Sequence, residues 1–322
     1  MADEKAAGQM LHPVRHANDT PDKPAYIMAA TGETVTYAEL DARANQGARL
    51  LRSLGLGHGD GLAVMMDNSP RFLELMWAAE RIGVYCSCLS SKLSAEEADY
   101  IIRDGDCRVL IASRGIGAVA EQIVPLIDDV RRFMVDGIVD GYDAYEAARD
   151  AEDGAPIDDP VSGAIMLYSS GTTGKPKGVR FPLSEEPFGM NISPLVMLGQ
   201  GLYGFNPDMI YLSPAPLYHA APLRWSMAVQ QLGGTVVVMD RFDAEQALAD
   251  IERYRVTHAQ FVPTHFIRML KLPGDVRARY DMSSLTATWH AAAPCPIPVK
   301  QAMIDWWGPI VHEYYAGTEG NG

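Results

Sequence analysis

From residue 36 onward, short apolar runs of strand length alternate with longer amphipathic segments, and this alternation constrains the fold more than any other feature of the chain. Residues 37–54 carry Leu40, Leu50, Leu51 and Leu54 at helical spacing and stop at Gly55; that pattern predicts a helix. Residues 62–66 form an apolar strand. Ser69-Pro70 then offers an N-cap with proline at the first helical position, ahead of a helix bearing Phe72, Leu75, Met76 and Ala79. Residues 84–89 and 108–112 read as further strands, with the capping box Ser94-Ala95-Glu96-Glu97 between them. The alternation resumes with strands at 164–168, 209–212, 235–239 and 256–262 and helices at 243–254 and 297–307. Strands separated by helices cannot pair as hairpins, so they predict a mostly parallel sheet covered on both faces.

The 322 residues suffice for about two domains. The stretch 150–160 is acidic, proline-bearing and aperiodic, and it is the natural linker. It divides the chain into a first α/β subdomain, 1–160, and a second, 161–322. The net charge of −14 argues against a nucleic-acid surface, which needs a basic face. It does not exclude a small anion held by a few local donors. Cysteines are sparse (Cys86, Cys88, Cys107 and Cys295), the start lacks an apolar signal region, and no apolar run is long enough to span a bilayer. These features predict a cytoplasmic protein with reduced thiols.

Two segments carry a nucleotide-like pattern. Gly115-Ile116-Gly117-Ala118-Val119-Ala120 follows a strand, and the next strand ends in Asp136, as in a dinucleotide fingerprint. It is not on the first strand, and Arg114 precedes it in a polar turn. It reads as a strand–turn–helix that needs small residues for packing. The stronger segment is Tyr168-Ser169-Ser170-Gly171-Thr172-Thr173-Gly174-Lys175-Pro176-Lys177-Gly178. Its glycines let backbone N–H groups turn toward a ligand, its hydroxyls donate, and its lysines supply charge. This is a polyphosphate cradle by composition, though not a Walker A loop, because Pro176 follows Lys175. By composition alone, a surface loop between strands is an equal reading.

This run resembles the phosphate-loop signature of the adenylate-forming superfamily of acyl-CoA synthetases, adenylation domains and luciferases. Further matches follow in the family's order: Thr36-Tyr37-Ala38-Glu39-Leu40, Pro216-Leu217-Tyr218-His219, His290-Ala291-Ala292-Ala293-Pro294 and Tyr315-Ala316-Gly317-Thr318-Glu319. Within the superfamily the chain looks most like bacterial fatty-acyl-CoA ligases. The resemblance implies two stacked, doubly wound, mostly parallel sheets with helices on both faces. It implies a ligase that activates a fatty or other hydrophobic carboxylic acid with ATP to an acyl-adenylate and then to acyl-CoA.

The residue roles it implies are specific. Ser169, Ser170, Gly171, Thr172, Thr173 and Gly174 cradle the β- and γ-phosphates with Lys177 as the charged partner. Glu319 holds Mg²⁺, and Thr318, after Gly317, touches the α-phosphate. Ala292, Ala293 and Pro294 form one wall of the adenine site and Tyr315 the other. His219 neighbours the substrate carboxylate, with Tyr218 as its aromatic gate. Ala220, Ala221 and Trp225 shape the acyl pocket, with His290 beside it; the paired alanines leave room for a long or bulky apolar group. His290 and Ala291 stand where the family has Ser-Gly, and Ala316 where it has Gly, which puts backbone freedom at those turns in doubt. The resemblance also places the family's ribose-binding aspartate, hinge and C-terminal catalytic lysine beyond Gly322, so the chain is expected to lack the mobile lid and to be weak or inactive alone. Missing strands would leave a sheet edge open, a route to a homodimer. A carrier-protein thiol as acceptor, and a non-catalytic nucleotide-binding fragment, stay open as alternatives.

Overall fold

The computed structural model describes residues 10–169 and 176–317. The chain divides by its packing into two units, 1–22 with 37–192 and 217–220, and 23–36 with 193–216 and 221–322. Each unit is built on one seven-stranded sheet.

The second unit's sheet contains β1 (Pro24–Met28), β2 (Thr34–Thr36), β10 (Ile210–Ser213), β11 (Thr235–Val238), β12 (His258–Phe261), β13 (Ala287–His290) and β14 (Val311–Glu313). Its order is β14-β13-β12-β10-β11-β1-β2, parallel throughout except for the terminal β1·β2 pair. The first unit's sheet contains β3 (Gly61–Met65), β4 (Tyr85–Leu89), β5 (Cys107–Ser113), β6 (Arg131–Val135), β7 (Asp143–Ala144), β8 (Ala164–Ser169) and β9 (Lys177–Val179). Its order, β7-β6-β5-β3-β4-β8-β9, is again parallel except at the terminal β8·β9 pair. The expected α/β architecture is therefore present, in two copies of one plan. In each sheet the chain leaves a central strand toward one edge and later returns to fill the other side. The reversal falls between β3 and β5 in one sheet and between β10 and β12 in the other. Such switch points open crevices at the carboxyl ends of the strands, where α/β proteins take ligands.

The strands are buried on both faces, as β3, β4, β11, β12 and β13 show at every position. The covering helices are ended by the residues that local chemistry assigns. Ser69 accepts from the Arg71 amide at the head of helix Pro70–Glu80, Ser94 and Glu97 complete a capping box, and Asp243 caps Ala244–Tyr254. In that last helix Ala247, Leu248 and Ile251 are fully buried. Burial of Leu248 and Ile251 stabilises by roughly 1.5–3 kcal/mol each.

The packing does not divide at residue 160. β8 follows the acidic stretch yet pairs in parallel with β4, Tyr85 opposite Ala164. The stretch itself lies along helix Tyr37–Ser53, held by its carbonyls. Asn45 donates to Gly154, Gln46 to Glu152, Arg49 to Asp153, Ala155 and Pro156, and Arg52 to Asp158, all within 2.9–3.1 Å. An aperiodic acidic sequence here is a strap whose backbone acceptors are met by side chains rather than by secondary structure.

At the Gly115 turn a Cβ on Gly115 would run into the Asp67 carboxylate, and Asp136 accepts from the Ser69 hydroxyl at 3.0 Å. Among the described residues no helix is long and apolar enough to cross a membrane, and Cys86, Cys88 and Cys107 are buried free thiols.

Candidate functional site

The first unit supplies the frame of the phosphate segment. β8 and β9 pair antiparallel, with Tyr168 opposite Gly178 and Ser169 opposite Lys177. The residues from Ser170 to Gly174 thus connect two strands whose ends are locked together; they lie outside the described residues. The Tyr168 hydroxyl donates to Asp104 Oδ2 at 2.9 Å, and burial together with that carboxylate raises its pKa. Beyond β9, the Arg180 guanidinium lies 4.1 Å from the centre of the Tyr85 ring and donates to the Gly59 carbonyl at 2.7 Å. The hairpin is therefore fastened at its root. Lys177 is exposed at the start of β9.

Tyr218 and His219 follow β10. The Leu217 amide donates to Asn68 Oδ1 at 2.7 Å, and Asn68 immediately precedes the Ser69 cap at the carboxyl end of β3. Tyr218 is buried and its ring lies 4.6 Å from that of His219. His219 keeps an exposed edge, while burial of the rest of the ring lowers its pKa. At neutral pH it is an uncharged imidazole, able to donate from one nitrogen and accept at the other.

In the second unit the two expected adenine walls leave neighbouring parallel strands. β13 ends in His290, and the chain turns through Ala291, Ala292, Ala293 and Pro294. β14 ends in Glu313 and runs on through Tyr314 and Tyr315. The Tyr314 amide donates to the His290 carbonyl at 3.2 Å, continuing the ladder past the end of β14. Ala292 is left-handed, φ 75°, a conformation that costs an alanine about 1–2 kcal/mol. Backbone freedom was expected to be at issue at Ala291, where the family carries glycine; the strain falls one residue later. Ala293 and Pro294 are exposed, and Tyr315 is 85% exposed. Gly317 is half-buried; Thr318 and Glu319 lie outside the described residues.

His290 is fully buried, and neither ring nitrogen has a hydrogen-bond partner among the described residues. Its Nε2 is 3.9 Å from Glu313 Oε2, which accepts from Lys300 at 2.7 Å. Burial lowers the His290 pKa.

Trp225 is fully buried. Its indole N–H donates to the Tyr314 hydroxyl at 3.1 Å, and its ring packs against Tyr203, Phe205 and Trp289. It is the centre of an aromatic core, and Ala220 and Ala221 are half-buried at the head of its helix. Sequence reasoning passed over Asn68, Tyr314 and Arg224. Asn68 and Tyr314 carry no motif signal. Arg224 does: it is the lone charge in helix Ala220–Leu232.

The AMP-binding enzyme profile matches residues 14–322. The chain belongs to the AMP-binding enzyme family. Among curated proteins, this family member is 30% identical over 313 residues to 4-coumarate–CoA ligase 1 of Oryza sativa subsp. japonica, covering 92% of the chain and 54% of that protein. It is 29% identical over 291 residues to the fatty acid–[acyl-carrier-protein] ligase ScoC of Streptomyces coeruleorubidus, covering 90% and 53%. The chain spans about half the length of the curated relatives it matches. Among solved structures, the N-terminal domain of FACL13 from Mycobacterium tuberculosis superposes with a TM-score of 0.81 at 24% identity, over 97% of this chain and 75% of that one. The amide bond synthetase McbA from Marinactinospora thermotolerans gives 0.81 at 23% identity, over 96% and 60%. These likenesses establish the fold of this AMP-binding family member; its relatives act on different acids and different acceptors.

Proposed function

We propose that the protein activates a fatty or other hydrophobic carboxylic acid with ATP, forming an acyl-adenylate and pyrophosphate, and passes the acyl group to the thiol of coenzyme A. The observation that carries this reading is that exposed Tyr315 and the exposed, left-handed Ala292 lie on the segments that leave the paired strands β14 and β13. A small-residue turn admits a purine close to the main chain, and the tyrosine offers a stacking face. Strain held in the backbone of an exposed turn is the kind that accompanies ligand sites.

The reaction joins two anions, so the protein must offer positive charge and oriented donors. Ser170, Thr172, Thr173 and the amides around Gly171 and Gly174 take the β- and γ-phosphates, and Lys177 stands at the fastened root of that hairpin. Neutral His219 donates to the substrate carboxylate without neutralising the attacking oxygen, and Tyr218 backs it. Thr318 reaches the α-phosphate. Among the described residues no group of three or more metal-binding side chains assembles. A magnesium ion carried on a triphosphate needs only one or two protein carboxylates, and Glu319 is the candidate. Bound there, Mg²⁺ supplies charge neutralisation on the phosphates. Similarity to ScoC, whose name gives an acyl-carrier protein as acceptor, keeps a carrier thiol as the second reading; acyl transfer to coenzyme A or to a carrier thiol separates the two.

The test is ATP binding by calorimetry, with and without Mg²⁺. Tyr315→Ala removes a base stack worth roughly 1–3 kcal/mol and is expected to weaken ATP about five- to hundredfold. Tyr315→Phe should bind like the parent. Lys177→Ala should weaken ATP more than AMP, because it removes charge from the terminal phosphates. ATP affinity indifferent to both alanine substitutions would overturn the reading.

A further inference from the structure

Helix Ala220–Leu232 has one stripe that is not buried, formed by Ala220, Ala221, Arg224 and Met227. Ala220, Arg224 and Met227 recur at helical spacing and so share a face. The stripe is apolar except for one guanidinium. Arg224 is half-buried, and no carboxylate, carbonyl or aromatic ring partners it among the described residues. Other half-buried guanidiniums here are met: Arg132 donates to the carbonyls of Val130 and Gly141, and Arg277 lies over the Trp306 ring. Burial lowers the Arg224 pKa, with no opposing contribution from a neighbour. A guanidinium stays charged in a protein, so withdrawing it from water unpaired is costly. Its position makes matters worse, one turn from a helix N-terminus, where the dipole favours negative charge.

We propose that Arg224 is the carboxylate-reading residue of the acyl site, its fork taking a carboxylate of the acid substrate while Ala220, Ala221 and Met227 border the apolar body. The inference rests on the acid-activating function proposed above and narrows its substrate. Two carboxylates could fill the role, the reacting one or a second one at the far end of a dicarboxylic acid. A planar guanidinium matches either in a bidentate pair.

The experiment titrates the full 322-residue chain with dodecanoate and with dodecanedioate, in the parent, Arg224→Met and Arg224→Lys. Arg224→Met should weaken binding roughly ten- to hundredfold, the usual worth of a charge-assisted hydrogen bond. Arg224→Lys should fall between, keeping charge but losing the fork. Equal loss for both acids assigns Arg224 to the reacting carboxylate; loss confined to the diacid assigns it to the second. Without ligand, Arg224→Met should melt at or above the parent temperature, because it removes an unpaired charge. Unchanged affinity for both acids, no binding of either acid to the parent, or a melting point several degrees lower would each overturn the proposal. ATP titration of the parent tells the two failures apart. If ATP binds and the acids ignore Arg224, only this inference falls; if ATP does not bind, the proposed function falls first.

Discussion

Replacing Glu74 by alanine should destabilise the first unit by about 3–5 kcal/mol, the effect of removing one partner from a buried ion cluster. Glu74 is fully buried in helix Pro70–Glu80, and three guanidiniums converge on it. Arg149 pairs with Oε1, Arg71 lies 3.3 Å from Oε2, and Arg43 lies 3.9 Å from Oε2. Burial pushes the carboxyl pKa up, and the three guanidiniums oppose that shift. Arg43 comes from helix Tyr37–Ser53 and Arg149 from helix Tyr145–Asp150, so the cluster ties three helices together. Without Glu74 the three guanidiniums lose the carboxylate they share, while Arg149 keeps Asp150 and Arg43 keeps Glu39. The melting temperature should fall by roughly 10 °C. Glu74→Gln keeps the shape and one acceptor and should lose less. The contrast with Glu74→Met plus Arg149→Met is informative, because exchanging a buried pair for packed apolar side chains is often nearly neutral. A loss below about 1 kcal/mol for Glu74→Ala would show the cluster to be solvated and weak. The cluster also bears on the site. Its central helix begins at the Ser69 cap beside Asn68, whose side chain holds the Leu217 amide two residues before His219.

Much of this was legible in the sequence because the signals were local. Strand runs, the Ser69, Ser94 and Asp243 caps and the helix Ile297–Trp307 depend on neighbours a few residues apart, and the structure places them as the pattern requires. Strand order is not local. Nothing in the composition of residues 164–169 says that they pair with β4 across the acidic stretch, or that residues 24–36 join a sheet whose other strands begin at Ile210. The acidic stretch misled for the same reason. Its order comes from Asn45, Gln46, Arg49 and Arg52, about a hundred residues away. At the site, motif residues at the ends of β13 and β14 were legible, and the ladder then brought their segments together. The resemblance named Trp225 for the acyl pocket, and the sequence carried no sign of its surroundings, an indole N–H donating to Tyr314 and a ring set against Tyr203, Phe205 and Trp289. Arg224, one position before it, carries the opposite lesson. A charge is costly on an otherwise apolar helix, and only the absence of a partner among the described residues turns that cost into a functional clue.

Acidification should unfold the second unit from within its histidines. His265, in helix Pro263–Leu270, is buried, with its ring stacked 3.8 Å from Phe242. Its Nδ1 has no partner among the described residues, and Arg268 lies on the same Phe242 ring at 4.8 Å. Burial, and then the Arg268 charge, pull its pKa down to about 4. Unfolding restores the ordinary value near 6.5. Between those two pH values the unfolded chain binds a proton that the folded chain refuses, so stability falls as pH falls. The contribution is fully present above pH 6.5 and lost by about pH 4, a difference of about 3 kcal/mol. His258 adds in the same direction. Its Nε2–H donates to the Tyr203 carbonyl at 2.8 Å, yet burial outweighs that bond and lowers its pKa. His265→Phe keeps an aromatic face for Phe242 and removes the proton site. Denaturation of the parent and of His265→Phe at a series of pH values should therefore show a shallower acid limb in the variant, by up to one proton. Nuclear magnetic resonance titration of the His265 ring in the folded parent should give a midpoint near 4. A midpoint close to 6.5 with identical acid limbs would mean that the imidazole is hydrated, and that the Phe242 stack opens to water.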